Sequence, residues 1–232
     1  MTKKIRSFYI EVMNCNCGKS ECPQALKSFR TGWVPRGFSP HNSSRTKILV
    51  VGKNPGHPLE GETSFYKNKK GEVLLSAREK WSIEWLKRLK NTNDNSLKYH
   101  KNLRRYLRYF LDLSAKLEQY DEYKPGTGEN AIKKAVSFSN LFKCSTECEQ
   151  EKIKDNSFGV CYEKYFIREI ELIKPQIILA LGNEVSKYLK RKQLSIPLVS
   201  IKHPSYFYKG ADEVDILSSK KRELRTKLIR RG

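Results

Sequence analysis

The sequence predicts an α/β protein, a three-layer α/β/α sandwich around a central, mainly parallel four-stranded sheet. The first observation is a set of short apolar runs, rich in β-branched residues and bounded by Gly, Pro or polar residues, as strands usually are. The runs are Lys47–Val51, Ala135–Ser139, Gln176–Leu181 and Pro197–Ile201. The second observation is that helical patterns lie between them. Strands that alternate with helices form parallel sheets covered on both faces.

The helical segments have apolar residues three and four positions apart, which is the spacing of one helix face. They are Glu79–Leu89, His100–Leu117, Tyr162–Ile173, Glu184–Lys190 and the basic Glu213–Arg231. A chain of 232 residues can bury one substantial core, so we expect a single domain. The domain would extend over residues 1–232, beginning with a cysteine-containing segment at 1–45 and ending with a basic helix at 213–232.

The charge of the chain is strongly unbalanced, with 46 Lys and Arg against 25 Asp and Glu and a formal net charge of +21. Such an excess favours polyanionic partners, because neutralising phosphates releases condensed counterions. A solvated, lysine-rich surface would have the same composition, so charge alone favours DNA as a partner without establishing it.

Long apolar segments are missing from the sequence. No run could span a bilayer, and no signal-peptide core follows the basic N-terminus. We therefore expect a cytoplasmic, nucleoid-associated monomer with no membrane contact. In a reducing compartment the six cysteines favour metal binding over disulfides.

Polar residues follow the predicted strands at the points where parallel sheets bind ligands, beyond the carboxyl ends. The strand ends are followed by Gly52-Lys53-Asn54-Pro55-Gly56-His57, by Asn140, by Gly182-Asn183 and by Lys202-His203-Pro204-Ser205. A parallel sheet would bring Asn54, Asn140, His57 and His203 to one crevice. Each segment alone is also an ordinary turn or cap, so the prediction rests on their joint occurrence in this order.

These segments resemble those of a known family. Gly52–Gly56 and His203–Ser205 are similar to two signature segments of the uracil-DNA glycosylase superfamily. Ser139–Cys144, Cys161, Glu169–Pro175 and Ala180–Gly182 resemble its iron–sulfur-containing branch. The resemblance implies a monofunctional hydrolase that cleaves the N-glycosidic bond of a flipped-out base in DNA and leaves an abasic site.

The resemblance also implies roles for individual residues. Asn54 would orient the attacking water, and His203 would donate to the base oxygen that gains negative charge. Asn140 would read the amide edge of a pyrimidine, and Phe65 would stack on the extruded base. The remaining pocket residues would be Gly52, Gly56 and His57, and the DNA contacts Lys53, Lys202, Ser205 and Tyr206.

The cysteines are expected, through the same resemblance, to hold a structural 4Fe-4S cluster. The expected ligands are Cys17, Cys22, Cys144 and Cys161. The N-terminal pair is spaced more widely than in the family, so Cys15 is a further candidate, as is Cys148 beside Cys144. Zinc suits four thiolates equally well, and free thiols without metal are the third possibility.

The base that is removed is the least determined part of the prediction. Branches with a tyrosine two residues after the water-positioning residue exclude groups at C5 of the pyrimidine, whereas this chain has Gly56 there. Lys53 and Asn54 also depart from the pattern of the iron–sulfur branch. Uracil is the leading expectation, and a 5-substituted pyrimidine in phage DNA, removed as an antiviral defence, is the second.

Two other classes of function would account for parts of the sequence. A non-enzymatic nucleic-acid-binding module would explain the charge and the aromatic residues among lysines, but it would not require asparagines and a histidine at strand ends. A metal-dependent nuclease needs clustered carboxylates to hold hard cations, and none of the strand ends supplies such a cluster.

Overall fold

The computed structural model describes residues 3–14, 17, 22, 48–53, 69, 71–77, 80, 98–111, 136–144, 152–205 and 211–229. In this part of the chain four strands form one parallel sheet in the order β2-β1-β3-β4. The strands are β1 (Ile48–Gly52), β2 (Val136–Asn140), β3 (Ile177–Leu181) and β4 (Leu198–Ile201). The predicted α/β class and parallel sheet are confirmed, with strand ends within one residue of the prediction.

Burial along the strands follows their positions in the sheet. The two inner strands, β1 and β3, are apolar and buried almost throughout, as expected for parallel strands covered on both faces. The outer strands β2 and β4 instead contain partly buried positions. β3 and β4 pair in register from Ile178 with Leu198 to Leu181 with Ile201.

Helices lie at four of the five predicted segments, one of which begins earlier than predicted, and two further helices, at Lys3–Met13 and at 71–77, were not predicted. The described helices are α1 (Lys3–Met13), a segment at 71–77, α2 (Lys98–Leu111), α3 (Asp155–Cys161), α4 (Ile167–Ile173), α5 (Asn183–Arg191) and α6 (Ala211–Ile229). The predicted Glu79–Leu89 helix lies outside the described residues apart from Lys80, which is helical. None of the helices in the described ranges is long and apolar enough to cross a membrane.

The helical segment predicted at Tyr162–Ile173 begins earlier and is not regular throughout. It starts at Asp155, and Tyr162–Phe166 form a π-helical turn between α3 and α4. The polar Asp155-Asn156-Ser157 does not fit an apolar pattern, although Asp155 suits a first helical turn. The added turns bury Phe158 and Cys161.

The chain divides into two compact units. The first comprises Met1–Ser44, Val51–Ser82 and Phe138–Lys174. The second comprises Arg45–Val50, Ile83–Ser137 and Pro175–Gly232. Both β1 and β2 therefore contribute residues to each unit.

In the first unit α1 packs against α4. The guanidinium of Arg168 donates to both carboxylate oxygens of Glu11, at 2.5 and 2.8 Å, and it also lies 5.4 Å from the ring centre of Phe8. The hydrogen bond from Arg168 lowers the pKa of Glu11. Because both side chains are about half exposed, this ion pair contributes little to stability.

In the second unit the basic C-terminal helix α6 is packed rather than free. It contacts α2, β3 and β4, and it buries Leu217 and Leu224. The ammonium of Lys227 donates to the backbone carbonyl of Leu198, at 2.7 Å, at the start of the outer strand β4. Lys221 places its ammonium 4.0 Å from the ring centre of Tyr109. Two of its lysines thus stabilise the fold instead of remaining available to a polyanion.

Candidate active site

The ends of β1 and β2 lie side by side in the first unit. The backbone N–H of Leu141 donates to the carbonyl of Gly52, and that of Phe142 donates to Lys53, both at 2.9 Å. The last residue of β2, Asn140, occupies the space next to Gly52, because a Cβ built on Gly52 would lie 2.5 Å from Asn140 Oδ1. A side chain at position 52 is therefore incompatible with this position of the Asn140 amide.

Replacing Gly52 by Ala is expected to displace the Asn140 side chain, since a Cβ atom essentially never lies this close to another atom in a real protein. A misplaced binding group usually costs about 10- to 100-fold in rate, so G52A is expected to lower by that factor any activity that uses the Asn140 amide. The check is a double-mutant cycle with N140A. In the N140A background G52A is expected to have no further effect, and equal losses in both backgrounds would contradict the contact.

A buried ion pair contacts Ser139, the residue before Asn140. The ammonium of Lys143 donates to Glu169 Oε2 and to Ser139 Oγ, and the Ser139 hydroxyl donates to the same carboxylate oxygen, each at 2.6 Å. The two charged side chains are 1% and 0% exposed. Tyr9 of α1 also interacts with Glu169, and burial together with the negative charge of Glu169 raises the pKa of Tyr9 well above its usual value. Its hydroxyl therefore stays protonated.

This ion pair determines which way the end of β2 faces. Consecutive strand residues point to opposite faces of a sheet. Because Ser139 is held on the buried side by Lys143 and Glu169, Asn140 must direct its amide to the other side, next to Gly52. The charged pair thus holds Ser139 and, through it, the side of the strand to which Asn140 points.

In the second unit His203 follows β4 by two residues and is partly buried. It lies beside Gly182, which follows β3 and whose N–H donates to the carbonyl of Ile201 at 2.8 Å. Gly182 has a left-handed backbone, with φ of 87°, which a glycine adopts without strain. A Cβ there would be in van der Waals contact with His203 Cβ, at 3.5 Å.

The proton position on His203 follows from one hydrogen bond. The backbone N–H of Ser205 donates to His203 Nδ1, at 3.3 Å. Since Nδ1 accepts, the neutral ring carries its proton on Nε2, and Nε2–H is a hydrogen-bond donor. The short turn His203-Pro204-Ser205 therefore presents a neutral imidazole as a donor.

Two residues of α2 contact this turn, and neither was among the residues predicted from the sequence. The buried amide of Asn102 donates to the carbonyl of Pro204, at 2.8 Å. The ring of Tyr99 lies 5.2 Å from the ring of His203, centre to centre. The available sequence signal was a polar residue on the buried helix face that carries Tyr106 and Tyr109. Such a residue needs a hydrogen-bond partner.

One family model matches most of this chain. The family model described as the uracil DNA glycosylase superfamily matches residues 39–230. The chain belongs to this superfamily. A search among curated proteins returned no match. Membership points to a DNA glycosylase, a hydrolase of base excision that acts on DNA.

The site residues predicted from the sequence fall into three groups. Gly52, Lys53 and Asn140 lie at the ends of β1 and β2 in the first unit. In the second unit Lys202 and Ser205 are exposed on either side of His203. The other predicted site residues lie outside the described residues, and their roles stay predictions; they are Asn54, Gly56, His57, Phe65 and Tyr206.

The four expected cluster ligands are all buried. Cys17, Cys22, Cys144 and Cys161 are between 1% and 4% exposed, and all belong to the first unit. Among the described residues, however, no group of three or more His, Cys, Asp or Glu side chains is arranged to hold a metal ion. The four thiols thus have the chemistry and the burial that suit a cluster, but they are not placed close enough together to bind one metal centre. Cys15 and Cys148 lie outside the described residues.

Proposed function

We propose that the protein is a monofunctional DNA glycosylase that hydrolyses the N-glycosidic bond of uracil flipped out of DNA, leaving an abasic site. The observation that carries this proposal is the tautomer of His203. With Nδ1 occupied by the N–H of Ser205, Nε2–H is the donor that the ring can offer to a base. Superfamily membership supplies the reaction class.

Bond cleavage moves electrons from the glycosidic bond into the departing base, and the sugar becomes cation-like. A neutral N–H donor aimed at a base oxygen stabilises the developing anion, and this stabilisation is stronger in the transition state than in the bound substrate. A donor that is already oriented needs no rearrangement during the reaction. His203 is therefore proposed to stabilise the leaving base.

Asn140 is proposed to recognise the base. Uracil presents a carbonyl acceptor at C4 next to an N–H donor at N3, and an amide can pair with both, since it has one acceptor and two donors. Cytosine presents the reversed pattern, so an amide held in one orientation distinguishes the two. The contact with Gly52 and the ion pair behind Ser139 support such fixed placement.

The water and the DNA contacts complete the proposal. By resemblance, Asn54 orients the water that attacks the cation-like sugar, a task that an amide performs without being a strong base. Phe65, Gly56 and His57 are proposed to complete the base pocket. Lys53, Lys202, Ser205 and Tyr206 are proposed to contact the DNA backbone, which the net charge of +21 also favours.

A second substrate class is favoured by Gly56. Glycine has no side chain to close the space next to C5 of a bound pyrimidine, so a 5-substituted pyrimidine would be accepted there. Such bases occur in modified phage DNA, which would make the activity a defence rather than a repair function.

The experiment that tests the substrate is a panel of single- and double-stranded oligonucleotides that each carry one test base. The panel includes uracil, thymine, cytosine and 5-hydroxymethylated pyrimidines, and alkali converts any abasic site into a strand break. We expect cleavage with uracil and none with cytosine. Release of 5-substituted pyrimidines at a higher rate than uracil would support the second substrate class, and no release from any oligonucleotide would overturn the glycosylase proposal.

We further propose that the chain belongs to the iron–sulfur branch and that Cys17, Cys22, Cys144 and Cys161 hold a structural 4Fe-4S cluster, with zinc as the alternative. Their burial in one unit supports this proposal. Glycosidic cleavage needs no electron transfer, so the group would stabilise the fold. Iron is expected to copurify with the protein and to give it absorbance in the visible range. Metal-free protein in which all six thiols react after unfolding would contradict the proposal.

The organisation of the molecule is proposed to be a single glycosylase domain that acts as a cytoplasmic, nucleoid-associated monomer. Two observations support one domain. Both β1 and β2 contribute residues to each compact unit, and the family match extends over residues of both.

A further inference from the structure

We propose that Asn102 and Tyr99 of α2 are positioning residues that fix the tautomer and the ring orientation of His203. The inference rests on the proposed function, in which His203 is the donor to the leaving base. It adds two residues, both more than 90 positions before the histidine in the chain, that do not belong to the predicted site and act through His203.

The connection between Asn102 and His203 runs through a single peptide group. Asn102 Nδ2 donates to the carbonyl oxygen of Pro204, at 2.8 Å. The N–H of that same peptide belongs to Ser205, and it donates to His203 Nδ1, at 3.3 Å. Because a peptide group is planar, holding its carbonyl also holds the direction of its N–H. Hydrogen bonds in such a chain also polarise and strengthen one another.

Burial explains why Asn102 is needed for this purpose. Pro204 is buried and Asn102 is 2% exposed, whereas Lys202 and Ser205 on either side are exposed. A carbonyl in a buried position requires a hydrogen-bond partner, and the Asn102 amide provides one. Because the residues on both sides, Lys202 and Ser205, are open to solvent, this contact anchors the turn to the body of the unit.

Tyr99 acts on the imidazole ring itself. Its ring lies 5.2 Å from that of His203 with 36° between the planes, a distance at which aromatic rings pack favourably. Tyr99 and Asn102 are three residues apart, so they lie on the same face of α2. One helix face therefore supports both the ring and the peptide group that sets its tautomer.

The supporting helix is itself held in place by α6. Tyr109 and Ser218 share a hydrogen bond of 3.0 Å between their hydroxyls, and Tyr106 donates to Glu213 at 3.1 Å. Arg105 forms an ion pair with the same carboxylate. These contacts offer a control, because Tyr109→Phe removes a hydrogen bond from the same helix and leaves Tyr99 and Asn102 unchanged.

The direct test reads the proton position on His203 in the full-length protein. The chain contains four histidines, so ¹⁵N-histidine NMR spectra of wild type and H203A identify the signals of His203. Wild type and Y109F are expected to show a neutral ring with the proton on Nε2. N102A is expected to show a mixture of both tautomers, because the peptide of Pro204 and Ser205 can then reorient.

A second substitution covers the case in which N102A does not fold. N102D keeps the size of the side chain, but its ionised carboxylate cannot donate to the Pro204 carbonyl, so it is expected to mix the tautomers as well. Y99F keeps the ring and should resemble wild type, whereas Y99L should broaden or shift the His203 signals. A pure Nε2–H tautomer in whichever Asn102 variant folds would overturn the inference.

Activity provides an independent readout. N102A is expected to lower the single-turnover rate of uracil release by about 10- to 100-fold, the usual effect of a misaligned catalytic group, with DNA affinity unchanged. In the H203A background the same substitution should cause no further loss, since positioning residues act only through the group they hold. Equal losses in both backgrounds would mean a general structural role and would overturn the inference.

The two proposals fail in different ways. If wild type releases no base from any oligonucleotide, the proposed function fails, while the NMR spectra still decide the role of Asn102. If wild type is active and H203A is impaired, but the Asn102 variants match wild type in both spectra and rate, then only the positioning inference fails.

Discussion

Replacing His203 by Ala is expected to slow base release by about 10²–10³-fold, the effect of removing one preorganised donor from a developing anion. The loss should fall on the chemical step, because the donor interacts most strongly with the departing base in the transition state. The measurement is the single-turnover rate on a uracil-containing oligonucleotide at saturating enzyme. DNA affinity, measured separately, should change little.

Two further variants distinguish the loss of the donor from damage to the fold. H203Q retains an N–H donor at a different distance and is expected to be intermediate between wild type and H203A. Y109F removes a hydrogen bond between α2 and α6 in the same unit and should keep the wild-type rate. If H203A reacts as fast as Y109F, His203 is not the donor and the proposed mechanism is wrong.

Replacing Lys143 by Met is expected to lower the free energy of unfolding by about 3–5 kcal/mol, the usual cost of leaving a buried charge without its partner. Glu169 is 0% exposed, so without the ammonium its carboxylate would have neither a cation nor water to stabilise its charge. Urea denaturation followed by circular dichroism gives the change directly, provided that the slope with denaturant stays the same.

The neighbouring ion pair provides a matched control. Arg168, next to Glu169 in α4, pairs with Glu11 on the surface, where both side chains are about half exposed. R168M should therefore cost less than about 1 kcal/mol. A double substitution of Lys143 by Met and Glu169 by Leu should be less destabilising than K143M alone, because no unpaired charge remains. Equal costs for K143M and R168M would contradict the buried position of the pair.

The strands and the residues that follow them were predictable because they depend on local patterns. Short apolar runs limit where β1 to β4 can lie, and a parallel sheet then assigns Asn140 and His203 to strand ends. The resemblance to the superfamily followed from those same segments, and the family match over residues 39–230 confirms it.

The supporting contacts were not predictable, because they join residues that are distant in the chain. Asn102 and Pro204 are 102 positions apart, and the helical pattern around Asn102 does not indicate which residue accepts its hydrogen bond. Lys143 and Glu169 are charged, and such residues are normally exposed. Only the folded unit shows that they neutralise each other in the core. The early start of α3 was missed for a different reason, because its first turn is polar.

The most direct test of the central claim is a product analysis of one reaction with a uracil-containing oligonucleotide. Chromatography measures the free base, and gel electrophoresis measures strand breaks before and after alkali. A monofunctional glycosylase predicts one free uracil for each abasic site and an intact strand until alkali is added. Strand breaks without free base, or stable DNA binding with neither product, would contradict the account.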